Sequence, residues 1–169
     1  VEVDSRQITK GDLFIAVPGY AADGTLFVDD AIKRGAVAVV SARPVAAEVV
    51  CNVVVKDIRS AVAQIAARYY EYPSRAMSLV GITGTNGKTT ITHLLRAILE
   101  ADGESVGLIG TLGYYVGENT YAPLNTTPGP LLLEKLLAEM RDQKCSSAVM
   151  EVSSHALAMS RVEGLEFEV

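Results

Sequence analysis

The residues whose types and spacing most clearly imply chemistry are Gly84-Thr85-Asn86-Gly87-Lys88-Thr89-Thr90. The apolar run Met77–Ile82 precedes them, and apolar residues at helical spacing follow. A strand, a glycine-rich turn and a helix start, in that order, are the setting of a phosphate-binding loop. Glycines let the backbone approach phosphate oxygens with no Cβ in the way. The N–H groups and the dipole at the helix start favour a polyanion. Lys88 can then reach the β- and γ-phosphates of ATP, and the Thr89 hydroxyl can ligate Mg2+. The general pattern G-x-x-x-x-G-K-[ST] wants glycine at position 82, which here is Ile82; the nearby glycines stand at 81 and 84. A plain glycine-rich turn is the competing reading. The flanking elements and the Gly87-Lys88-Thr89-Thr90 core favour nucleotide binding.

Glu151 lies at the C-terminal end of the apolar run Ala148–Val152. Ligands of open α/β sheets bind beyond the carboxyl ends of the strands, so Glu151 is a candidate Mg2+ ligand. The alternative is an acid facing solvent at a strand end. In Asn125-Thr126-Thr127-Pro128, Thr127 is expected to cap the next helix with Pro128 at its first position, leaving Asn125 and Thr126 for a ligand. Ser153-Ser154-His155 follows Glu151. Either serine can cap a helix, and no G-x-S-x-G surrounds them to suggest a hydrolase nucleophile. His155 is left between packing and polar positioning. Arg161 is the nearest fixed positive charge; it can hold a phosphate or carboxylate, or be solvated. Asp4-Ser5-Arg6 and Tyr20-Ala21-Ala22-Asp23-Gly24 are turn-forming clusters whose residue types alone assign no ligand.

The elements that must position these residues fall into two groups. Strands are expected at Leu13–Val17, Ala36–Val40 and Val49–Val55, with a helix over Phe27–Arg34 ended by Gly35. Ile58, Val62, Ile65, Ala66 and Tyr69 recur at helical spacing behind Asp57 as N-cap. Tyr72-Pro73 stops that helix and marks a domain boundary, dividing the chain into 1–74 and 75–169. Beyond it come a strand at Met77–Ile82 and a helix over 88–102 with Ile91, Leu94, Leu95, Ile98 and Leu99 on one face. A strand at Val106–Ile109 follows. A hairpin is expected near Tyr114–Tyr121, then a helix at Leu131–Met140 and the Glu151 strand. The class is α/β: a small mixed domain, then part of a parallel-sheet domain of the phosphate-loop type. Leu165–Val169 reads as the beginning of a strand, so the chain is expected to be a fragment.

Composition limits the function classes. The 169 residues are 49% hydrophobic and 21% charged, with a formal net charge of −5. No basic cluster offsets that charge, so nucleic acid is not an expected partner. No apolar run approaches the ~20 residues that cross a bilayer, and no membrane insertion is expected. Cys51 and Cys145 lack CxxC spacing and are expected to be buried thiols in a reducing compartment.

Taken together, these residues resemble the Mur ligases, of the MurE type. Asp4-Ser5-Arg6, Gly11-Asp12-Leu13-Phe14-Ile15-Ala16, Gly19, Asp23-Gly24, Phe27 and Gly35-Ala36 are similar to the UDP-binding domain of that group. Thr83–Thr90 resembles its ATP loop, including the one-residue offset. Asn125–Pro128 and Glu151–Leu157 with Arg161-Val162 resemble the MurE rather than the MurF type. The resemblance implies that Val3, Ser5, Tyr20, Ala21 and Ala22 hold the uridine diphosphate end. It implies ATP at Gly84, Thr85, Asn86, Gly87, Lys88, Thr89 and Thr90, and Mg2+ at Thr89 and Glu151. Lys88 and Glu151 would be the catalytic residues. Asn125, Thr126, Thr127, Ser153 and Arg161 would line the muramoyl-peptide path. Met159 stands where members of the family often have a polar residue.

The implied reaction joins a diamino acid, meso-diaminopimelate ahead of L-lysine, to UDP-MurNAc-L-Ala-D-Glu through an acyl phosphate, in a cytoplasmic monomer. The family's carbamylated lysine, further metal-ligand region and amino-acid-selecting domain would lie beyond Val169. A MurF-type or folylpolyglutamate-synthase-like ligase is the alternative within enzymes. A phosphate-loop module without ligase chemistry is the alternative outside them.

Overall fold

A computed structural model describes residues 1–19, 23–45 and 51–169. They form two compact units, Val1–Val62 and Ala63–Val169, and the division falls within the helix that precedes Pro73.

In the first unit, three short apolar runs pair as a parallel sheet. β1 (Leu13–Ile15), β2 (Ala38–Ser41) and β3 (Asn52–Val54) lie in that order, with Leu13 opposite Ala38 and Val39 opposite Asn52. Parallel neighbours need a crossover. Between β1 and β2 it is a 3-10 turn, Gly24–Phe27, followed by α1 (Val28–Lys33). The helix expected over 27–34 is α1, with Phe27 as its N-cap and Arg34 as its C-cap. Asp23 accepts a hydrogen bond from Thr25 N at 3.0 Å and tightens the chain into the 3-10 turn before α1 begins. Gly35 follows the helix at φ 108°, and a Cβ there would lie 2.7 Å from the Lys10 Cα, so both conformation and space require glycine. Ile8, Phe14, Ala16, Val28, Ala31 and Val39 form the core of this unit. β3 is an edge strand with Val53 and Val54 half exposed, and Cys51 just before it is exposed, not buried as expected. Val49 and Val50 of the expected third strand lie outside the described residues, as do Tyr20, Ala21 and Ala22.

Asp57 caps α2 (Ile58–Tyr69), accepting from Arg59 N at 2.9 Å and Ser60 N at 3.1 Å. The buried stripe uses Ala63 and Ala67 beside Ile58, Val62 and Ala66; Tyr69, expected inward, is 57% exposed. Glu71 and Tyr72 both take left-handed backbone before Pro73 opens a 3-10 turn, Pro73–Ala76.

The second unit carries a five-stranded sheet built from β4 (Ser78–Ile82), β5 (Val106–Gly110), β6 (Gly113–Val116), β7 (Asn119–Tyr121) and β8 (Ser147–Glu151). The order is β4-β8-β5-β6-β7; the first three are parallel, and the β6–β7 hairpin runs antiparallel. Beside β4, Glu168 N donates to Leu79 O and Gly81 N to Val169 O, so the last residues run along this edge, but the strand expected at Leu165–Val169 is not formed as a sheet member.

α4 (Pro130–Asp142) buries Leu133, Leu136, Leu137 and Met140 in a core with Leu79, Ile109, Val116 and Met150. Its N-cap is Gly129 with Pro130 at the first position, two residues later than expected. The Thr127 hydroxyl is engaged elsewhere, as described below, and does not cap. α3 (Lys88–Ala101) lies against β4, β5 and β8, yet Ile91, Leu94 and Ile98 are each about half exposed. The most buried residue of α3 is Thr92, whose hydroxyl donates to Thr89 O at 2.9 Å. The apolar stripe read from spacing is therefore only partly covered.

α4 also buries an acid. Glu134 is 2% exposed, and its Oε2 meets no hydrogen-bond partner among the described residues. Burial pushes its carboxyl up to about 7 from 4.5. The folded state therefore binds more protons than the unfolded state between those values, and this group makes stability fall as pH rises through that window. The full shift corresponds to about 3 kcal/mol at most. Glu134→Gln is expected to raise the thermal midpoint clearly at pH 8 and much less at pH 5. Equal shifts at both values, in unfolding followed by circular dichroism, would contradict this.

Candidate active site

The phosphate-type loop leaves β4 at Ile82, whose carbonyl accepts from Val152 N at 2.8 Å. Position 82 is thus still strand, which explains why no glycine is needed there. The first left-handed residue is Gly84 at φ 144°, and Gly87 at φ 81° is the N-cap of α3. Residues 83–87 are exposed. Lys88 Nζ donates to Gly84 O at 2.7 Å, so its ammonium sits across the loop beside the first amides of α3. In an acidic chain this concentrates positive potential at one place.

Glu151 is the last residue of β8, level with Ile82 of β4, and only 1% exposed, which removes the reading of a solvent-facing acid. Its Oε1 accepts from Thr111 N at 2.8 Å. Its Oε2 accepts from Thr89 Oγ1 at 3.0 Å and from Thr111 Oγ1 at 3.3 Å. Gly110 makes room: a Cβ there would lie 2.5 Å from Glu151 Oε1. Thr111 was not among the candidates. Its signal was its place directly after β5, at the same sheet end as Thr89 and Glu151.

The network continues through side chains from two further segments. Thr111 Oγ1 is 3.0 Å from Thr126 Oγ1. Thr127, 1% exposed, donates its hydroxyl to Glu151 O at 2.8 Å and accepts from Ser153 N at 3.1 Å. Arg161 Nη1 donates to Thr127 O at 2.8 Å, so this arginine is not simply solvated. Ser153 caps α5 (Ser154–Ala158) by accepting from Ala156 N at 3.1 Å. Thr127 therefore holds the site together instead of presenting a free hydroxyl. Asn125 is exposed, as are Thr90 and His155, and Met159 is half-buried.

In the first unit, Val3 is 43% exposed and Ser5 6%. The Ser5 hydroxyl hydrogen-bonds the Asp30 carboxylate and holds that carboxyl below its usual range.

Thr89 Oγ1 and Glu151 Oε2 form a hard oxygen pair beside the loop. That donor set fits Mg2+, which takes few protein ligands and completes its shell with water and phosphate. No group of three or more His, Cys, Asp or Glu among the described residues offers a cage for another metal.

Residues 82–169 match the Mur ligase middle domain, and residues 1–83 match the Mur ligase family, catalytic domain. The UDP-N-acetylmuramoyl-L-alanyl-D-glutamate–2,6-diaminopimelate ligase of Halalkalibacterium halodurans is 45% identical over 169 residues, covering 100% of this chain and 35% of the relative. The same-named ligase of Oceanobacillus iheyensis is 42% identical over 170 residues, with 100% and 34% covered. A solved structure of a UDP-N-acetylmuramoyl-L-alanyl-D-glutamate–2,6-diaminopimelate ligase matches with a TM-score of 0.84 at 29% identity, over 99% of this chain and 34% of that one. MurF from Thermotoga maritima in complex with ADP matches at 0.57 and 26%, over 90% and 31%. The chain spans about a third of the length of the curated relatives it matches.

Proposed function

Because the chain belongs to the Mur ligase family, we propose that it forms part of an ATP-dependent ligase joining meso-diaminopimelate to UDP-MurNAc-L-Ala-D-Glu. The observation that carries the reading is the loop at Gly84–Thr90 closed by Lys88, with Thr89 3.0 Å from the buried Glu151 carboxylate. The names of the relatives support the substrate, and the ADP complex of a MurF structure supports the nucleotide.

In this reading the amides opening α3 and the Lys88 ammonium bind the triphosphate and stabilise charge on the transferring phosphoryl group. Thr89 and Glu151 would hold Mg2+, which when bound screens the phosphate charge. Asn125, Thr126, Ser153 and Arg161 orient the muramoyl peptide beside the loop, with Thr127 fixing their backbone. Val3, Ser5, Tyr20, Ala21 and Ala22, within a domain of residues 1–74, take the uridine diphosphate end. A D-glutamyl carboxylate oxygen attacks the γ-phosphorus, and ADP leaves. The amine of diaminopimelate then attacks the acyl carbon, loses a proton and expels phosphate. The protein acts as a cytoplasmic monomer. No helix among the described residues is long and apolar enough to cross a membrane.

The test is phosphate release by the complete polypeptide that carries this chain. Release is expected only when ATP, UDP-MurNAc-dipeptide and meso-diaminopimelate are all present, with L-lysine a poor replacement. Hydrolysis independent of the other substrates would overturn the ligase reading.

A further inference from the structure

On its hairpin side, the segment that carries Asn125 and Thr126 is joined to the sheet through one phenol. Tyr114 is the second residue of β6, 1% exposed, its ring inside the core of the second unit. Its hydroxyl accepts from Leu124 N at 3.2 Å and Asn125 N at 3.1 Å, and donates to Asn125 O at 2.6 Å. Three backbone groups of an irregular loop thus converge on one oxygen whose own position is set by packing. A phenol held by a core ring has little freedom, so the loop inherits the rigidity of the sheet. Thr126, the next residue, meets Thr111, which in turn holds Glu151. The placement of Asn125 and Thr126 therefore depends on this hydroxyl on one side and on the Glu151 network on the other.

From this convergence we infer that Tyr114 is a positioning residue for the muramoyl-peptide substrate: its hydroxyl fixes the Asn125–Thr126 backbone that faces the ligand. The inference rests on the ligase reading above. The Tyr114 hydroxyl bonds the backbone of Leu124 and Asn125 and not the side chains of Thr89 or Glu151, so its loss is expected to act on the substrate held by that loop more than on ATP. Phenylalanine keeps the ring and its packing and deletes only the hydroxyl, leaving two amides without their acceptor.

The experiment is steady-state kinetics of the complete polypeptide, with Tyr114→Phe, Asn125→Ala and the double variant. Tyr114→Phe is expected to raise KM for UDP-MurNAc-dipeptide about tenfold, the scale of one or two lost hydrogen bonds, with KM for ATP within about twofold. In the Asn125→Ala background the same change is expected to add little, because the two residues act through one contact. Parallel increases in both KM values would mean general loosening and would overturn the inference, as would fully additive effects or an unchanged KM. If the unmutated protein shows no dipeptide-dependent turnover, the ligase reading fails and this inference falls with it. If it turns over normally and Tyr114→Phe matches it, only the inference fails.

Discussion

Replacing Lys88 with alanine in the complete polypeptide is expected to lower kcat/KM for ATP by about 10^3-fold, the scale set by removing a preorganised charge from a transferring group. The reason lies in the local geometry. The ammonium lies 2.7 Å from Gly84 O, beside a turn whose residues 83–87 are exposed, and it is the cation built into the loop itself. The amides at the start of α3 carry only partial charges, which retain some affinity but cannot neutralise a triphosphate. Lys88→Arg is expected to recover little, because a planar fork does not reproduce a compact point charge at that distance. Phosphate release at varied ATP concentration reads both parameters. Turnover and nucleotide affinity equal to those of the unmutated protein would remove the basis of the phosphate-loop assignment.

Changing Glu151 has the second large effect, and it separates into two measurable parts. Glu151→Gln keeps the shape and removes the charge, so the magnesium concentration giving half-maximal activity is expected to rise at least tenfold and kcat to fall about 10^2-fold. Glu151→Ala also strips the acceptor from Thr111 N and from the Thr89 hydroxyl, whose shared partner is a carboxylate only 1% exposed. Leaving those donors unpaired costs about 1–3 kcal/mol, so this variant is expected to unfold at lower temperature as well. A magnesium titration of activity and a thermal melt distinguish the two. An unchanged magnesium requirement in Glu151→Gln would show that the carboxylate serves only to hold the loop.

The parts of the site legible in the sequence were those with a local physical signature. Strand, glycine turn and helix start at Ile82–Lys88 follow from residue types over a short window, and the offset at Ile82 is explained by its still being paired in the sheet. Glu151 stood out as an acid closing an apolar run. Thr111 and Tyr114 had no such signature. Thr111 acts through Glu151, which the β5–β8 pairing brings beside it, and Tyr114 acts through Asn125, in the loop that follows β7; neither pairing is visible in residue types. The helix cap moved from Thr127 to Gly129 for a related reason: a hydroxyl suited to capping is used across the sheet by Glu151 O. Spacing along α3 identified an apolar stripe, but spacing says nothing about what lies opposite, and Ile91, Leu94 and Ile98 are about half exposed. Tyr69 failed likewise: the buried stripe of α2 runs through Ala63 and Ala67, and Tyr69 lies off it.

A structure of the complete polypeptide with ADP bound tests the nucleotide site most directly. The expected result places β-phosphate oxygens within about 3 Å of the backbone nitrogens of residues 86–89 and of Lys88 Nζ, the range of charge-assisted hydrogen bonds. A nucleotide seated elsewhere, with residues 84–90 making no contact to phosphate, would contradict it.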